Sequence, residues 1–212
     1  MTVCESVYHR FGGHAPKKLR GWCRFLGPLG RVISDRWYSH EVIHHRATYR
    51  NSYIQQFSSR EEEIALTNKL LCQEKIHIVQ QSFGLRVGGA VEHIRYMLPT
   101  APLIIIACIS GGWLFSIGAV IPLIIMPFMS QHIHPLLHLC PDEAINSAPQ
   151  LLKPFANSWY FRYIMRYHWL HHLHPDTNYN LMIGGDFLLG CHRSASPAEH
   201  ENFSRAFSEI AS

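Results

Sequence analysis

Ten of the chain's 16 histidines fall into four short groups: His9 and His14; His40, His44 and His45; His134 and His138; His168, His171 and His172. Imidazoles at such spacings are candidate metal ligands. His168, His171 and His172 stand at i, i+3 and i+4, so a helix brings all three toward one face. Crowded imidazoles repel one another when protonated, whereas in the neutral form each offers a nitrogen lone pair that suits borderline divalent metals. His40 and His44 are one helical turn apart, and His45 lies about 100° further round, placed to serve a second ion beside the first. His134 and His138 have ligand spacing too, but Pro135 biases His134 away from helical dihedrals. Their shared face is therefore open, and His132 competes for the same role. His9 and His14 are about 140° apart on an ideal helix, and Gly12-Gly13 between them can bend the backbone.

Two other readings use the same residues. His40-Glu41-x-x-His44 matches the HExxH pattern of zinc peptidases, with Glu41 as base toward a metal-bound water; it leaves most of the clustered histidines idle. A membrane protein that binds or transports metal, with histidines along its pathway, is the other. His174 precedes Pro175, which ends the helix carrying His168, His171 and His172, and its role is left open along with that of His132. His77 and His93 read as structural or exposed.

The elements that must position these groups are helical. At 212 residues the chain is long enough for one domain, residues 1–212. No Asp, Glu, Lys or Arg occurs between residues 96 and 140, and the apolar run inside that stretch exceeds the roughly 20 residues a spanning helix needs. Gly111-Gly112 suggests a hairpin at about residues 98–130, with arms 99–110 and 113–130 of roughly 18 and 27 Å. Lys17, Lys18, Arg20, Arg24, Arg31 and Arg36 before it and Lys153, Arg162 and Arg166 after it place both flanks on the cytoplasmic side by the positive-inside rule. A buried core hairpin of a soluble protein is the alternative. Residues 15–32 interleave cations with Trp22, Phe25, Leu26 and Leu29, a pattern suited to a lipid headgroup surface. A capping box at Ser59 opens a helix over residues 59–82. No signal peptide or apolar span precedes His9, so an N-terminal membrane segment is either absent or missing from this sequence. Six scattered cysteines without a CxxC pair argue against a disulfide framework and for a reducing side. The expected fold is all-α: an integral membrane helical protein with a cytoplasmic-side, histidine-rich metal site and no nucleic-acid partner.

Taken together, the four groups resemble the histidine boxes of the fatty acid hydroxylase superfamily, the membrane di-iron enzymes that include sterol desaturases, sphingolipid hydroxylases and carotene hydroxylases. Glu5 with His9-x4-His14 is similar to the first box, His40-x3-His44-His45 to the second, His134-x3-His138 to the third and His168-x2-His171-His172 to the last. Asn178-Tyr179 and the run from Asp186 to Gly190 resemble the stretch after the last box. Departures are the three residues inside the second box where two are usual, Gln131 where an acid is often seen, and Asn180 in place of a usual glycine. The resemblance implies an oxidoreductase with two iron ions held by these ten histidines and O2 as co-substrate. It would hydroxylate, or desaturate, an unactivated C–H bond of a lipid that enters from the bilayer along residues 113–129. Electrons would come from an external ferredoxin or cytochrome b5 type donor, because the chain carries no flavin or nicotinamide fingerprint.

Overall fold

Every regular element among the described residues is helical, and no strand occurs among them. The computed structural model describes residues 2–49, 61, 65, 101–182 and 184–208. Of the expected helix over 59–82 only Glu61 and Ala65 are described, both helical; His77 and His93 lie outside the described residues.

Helix α1 (Thr2–Tyr8) runs into a π-helical segment, His9–Gly13. After α2 (Lys17–Cys23), helix α3 (Gly27–Trp37) likewise passes into a long π-helical segment, Tyr38–Thr48. Helix α4 (Ala101–Phe128) continues through a π-helical turn, Met129–Ile133, into α5 (His134–Leu137). Then come α6 (Pro141–Ser147), a 3-10 turn (Gln150–Leu152), α7 (Lys153–Ala156), α8 (Trp159–Leu173), α9 (Gly185–Leu188) and α10 (Pro197–Ser208).

The expected hairpin is replaced by one 28-residue helix, α4, which passes through Gly111-Gly112 without a turn. A glycine costs a helix about 1 kcal/mol relative to alanine. That is small beside the cost of leaving peptide groups without partners in an uncharged, apolar stretch, so the helical ladder continues. Among the residues described with their side chains, no helix is long and apolar enough to cross a membrane; several side chains of α4 fall outside that set. Those described include Ile105, Ile106, Ile109, Trp113 and Ile124, all more than half exposed.

The core lies where α4 ends. Met129, Ile133, Leu136 and Leu137 pack with Phe161, Ile164, Met165, Trp169 and Leu170 of α8. Ser158 starts α8 by accepting a hydrogen bond on its Oγ from the Phe161 N–H at 3.1 Å. The start of the chain packs against α9. Helix α9 lies so close to α1 that a Cβ on Gly185 would stand 2.2 Å from the Thr2 carbonyl oxygen. Only glycine allows that approach.

Candidate metal centre

All ten histidines of the four groups come together, and π-winding explains how three of those groups manage it. In the first, the His14 N–H donates to the His9 carbonyl at 2.9 Å. This i→i+5 bond widens the turn and returns a residue five positions on to the same face, which cancels the divergence expected of an α-helix. In the second, the Tyr49 N–H donates to the His44 carbonyl at 3.0 Å and the same winding spans His40 to His45. In the third, the His134 N–H donates to the Met129 carbonyl. His134 is helical despite Pro135, which occupies the first turn of α5, where its missing N–H costs nothing.

The histidines divide into two clusters. His9, His14, His40, His45 and His171 form one; His44, His138, His168 and His172 form the other. His134 joins the second, its Nε2 standing 2.9 Å from that of His168. The expected partition changes accordingly. His40 shares its cluster with His45 and not with His44, because a π-turn pairs residues five apart where an α-turn pairs those four apart. On α8, His168 and His172 face the second cluster while His171 turns into the first. The clusters adjoin, with the rings of His45 and His172 stacked at 4.1 Å between centroids.

Hydrogen bonds outside the first cluster set its tautomers. The Nδ1–H of His9 donates to the Tyr179 carbonyl at 2.5 Å, and that of His171 to the Thr177 carbonyl at 2.7 Å. His14 Nδ1–H donates to Glu41 Oε2 at 2.6 Å. A carbonyl only accepts, so in the neutral ring the other nitrogen, Nε2, carries a lone pair. The Nε2 atoms of His14 and His171 face each other at 3.1 Å. Two acceptors at that distance repel unless a cation lies between them. Bonds of about 2.0–2.1 Å to a shared metal put neighbouring nitrogens about 3.0–3.4 Å apart. The separations His45–His40 at 3.2 Å, His44–His172 at 3.1 Å and His168–His138 at 3.1 Å suit that edge, and His9–His40 at 2.6 Å is tighter. The donor set therefore fits metal ions.

Burial, reinforced by neighbouring imidazoles, holds His9, His40, His44, His45, His134, His168 and His172 well below the ordinary imidazole range, and lowers His171 to about 3. They are neutral at pH 7, the form that binds metal. Burial acts to raise Glu41, but hydrogen bonds from His14 and Arg46 outweigh it and bring the carboxyl down to about 2. Glu41 thus orients His14 and is pinned by Arg46. With His40 and His44 in different clusters and Glu41 so engaged, the HExxH pattern does not form one peptidase-like site.

His132 is exposed and lies beside Phe128 at 5.0 Å between ring centroids. His174 pairs with Glu199 at 2.8 Å. Neither is in a cluster. Three contributors were not singled out for the site from the sequence: the Thr177 and Tyr179 carbonyls, which have no side-chain signature, and Tyr49, whose ring stacks on His138 at 3.9 Å. An aromatic residue four positions after His45 was the one available signal for Tyr49. Close approach also explains Gly13, where a Cβ would stand 2.9 Å from the rings of both His9 and His40.

No protein-family model matches the chain, and neither a curated protein nor a solved structure matches it.

Proposed function

We propose that this protein is a membrane oxidoreductase of the fatty acid hydroxylase type, its two histidine clusters holding two iron ions for O2-dependent hydroxylation, or desaturation, of a lipid. The observation that carries the reading is the way adjacent residues are shared out: His44 and His45, and again His171 and His172, contribute to different clusters. Two neighbouring all-imidazole sites follow from that arrangement, as a paired-metal centre requires. When bound, the iron pair supplies O2 activation and the redox change needed to replace a C–H bond.

The chain's own residues hold and shield the site. His9, His14 and His171 present lone pairs inward because their Nδ1–H groups are engaged outside. Ile133, Leu137, Ile164 and Met165, each at most 1% exposed, exclude water behind the second cluster. Helix α4 at 28 residues is about 42 Å long, more than the roughly 30 Å of a bilayer's hydrocarbon core. Its uncharged sequence and outward isoleucines suit contact with lipid and an apolar path leading a lipid chain to α5. Exposed Trp22 and Phe25 among Lys17, Lys18 and Arg24 suit the headgroup layer on the same, cytoplasmic, side. Electrons arrive from an external ferredoxin or cytochrome b5 type donor.

Metal analysis and Mössbauer spectroscopy of the detergent-purified protein test this reading. About two irons per chain with a coupled signature that responds to reduction and O2 are expected. One tightly held zinc and no iron after iron-replete expression overturns it.

A further inference from the structure

The geometry points to Glu5, Asn178, Asn180 and Asp186 as positioning residues that clamp the strap 177–181, so that its carbonyls set the tautomers of His9 and His171. This inference rests on the proposed metal centre. Along the strap, the roles alternate. Thr177 and Tyr179 turn their carbonyls to the two imidazoles, and the asparagines between and after them anchor the backbone.

Asn178, fully buried, has a left-handed backbone at φ 55°, a conformation asparagine tolerates better than most residues. Its N–H donates to the Cys191 carbonyl at 3.0 Å, its Nδ2 donates to the Arg193 carbonyl at 3.0 Å, and its Oδ1 accepts the Arg193 N–H at 2.8 Å. Asn180, 1% exposed, is held on every side. Its N–H donates to Asp186 Oδ2 at 2.8 Å and its Oδ1 accepts the Asp186 N–H at 2.9 Å. Its Nδ2 donates to the Thr2 carbonyl at 2.7 Å and to Glu5 Oε2 at 3.2 Å. Glu5 Oε1 accepts the Leu181 N–H at 2.8 Å, and Asp186 Oδ2 also accepts from the Tyr167 hydroxyl at 3.0 Å. Tyr167 stands on α8 one turn before His171, so the clamp ties α1, the strap, α8 and α9 together.

The strap belongs to no helix or sheet, and these side chains substitute for a ladder. Without them the two carbonyls are free to move, the rings lose their outer acceptors, and either ring nitrogen can carry the proton. A ring with its N–H inward offers no lone pair. Outer partners of metal-binding histidines are typically worth about 10–100-fold in affinity.

The test uses the full chain in detergent with 15N-labelled histidine. Long-range 15N–1H spectra of metal-free protein assign each tautomer, and iron titration reads the affinity of each cluster. In the wild type, His9 and His171 are expected as Nδ1–H tautomers. Asn180→Ala is expected to give mixed tautomers at both and to weaken iron binding at the first cluster about 10–100-fold, leaving the second unchanged. Asn180→Asp, which keeps Oδ1 as an acceptor but sets a carboxylate oxygen against the Thr2 carbonyl and Glu5 Oε2 in place of the Nδ2 donors, is a second probe at the same position and is expected to shift the same two rings. Leu137→Ala, a comparable destabilisation in the core, is expected to leave those tautomers alone. Unchanged tautomers in folded Asn180→Ala or Asn180→Asp, or equal losses at both clusters, overturn the clamp. Tautomers that shift as expected in a protein that binds no iron uphold the clamp and sink the proposed function.

Discussion

The two histidine clusters solve one positioning problem by different means. The first, five imidazoles around His171, is oriented from outside by polar groups: two strap carbonyls, Glu41 and, behind them, the buried clamp. The second is set in the hydrophobic core, with His134 and His138 on either side of Leu137 and His168 between core residues Met165 and Trp169. Hydrogen bonds fix a tautomer as well as a direction. Packing fixes a direction through steric fit and tolerates little loss of volume. Damage of one kind should therefore reach one cluster before the other.

The sharpest contrast comes from neighbours in sequence. His171→Ala and His172→Ala should each abolish lipid oxidation and lower iron from about two to about one per chain, but in different sites, so that the residual Mössbauer signals differ. Identical residual signals would falsify the partition. Next, Leu137→Ala removes a fully buried side chain and should cost about 2–5 kcal/mol in stability, with iron lost from the second cluster first; the thermal midpoint and iron titration read both effects. Glu41→Gln removes the charge that orients His14. It should leave the fold intact and weaken iron at the first cluster about 10–100-fold. An unchanged first cluster would mean that the carboxylate only neutralises Arg46.

The remaining expected effect is a pH slope. Burial raises the Glu5 carboxyl to about 8 from an ordinary 4.5. The folded protein keeps that proton up to about pH 8, and the unfolded chain releases it near 4.5. Between these values the folded state binds more protons, so stability falls as pH rises, by at most about 1.4 kcal/mol per pH unit from this group. Glu5→Gln should remove that contribution, and thermal midpoints between pH 5 and 8 show it as a flatter profile for the variant. Parallel profiles would show that Glu5 is ionised in the folded state.

Much of the site was readable before any fold was known, because residue type and local spacing are enough to mark imidazole groups, and helical periodicity is enough to call the described elements helical. His168 and His172 at i and i+4 share a face in the α-helix as in the sequence reading. Where the backbone departs from the α period, spacing misled. His40 pairs with His45 and His14 returns to the side of His9 only because i→i+5 winding adds a residue to the turn, and nothing in the residue types announces that winding. Gly111-Gly112 looked like a break, but a glycine's local cost is smaller than that of leaving backbone groups unpaired in an apolar stretch, and the helix runs on. The meeting of His14 with His171, and of His9 with the Tyr179 carbonyl, joins segments more than a hundred residues apart in the chain, whereas the Thr177 carbonyl reaches His171 from six residues away. The sequence by itself determined which side chains can bind metal. Only the tertiary structure decided which of them share a cluster and which nitrogen His9, His14 and His171 turn inward, since both depend on distances and acceptors set when the segments pack together.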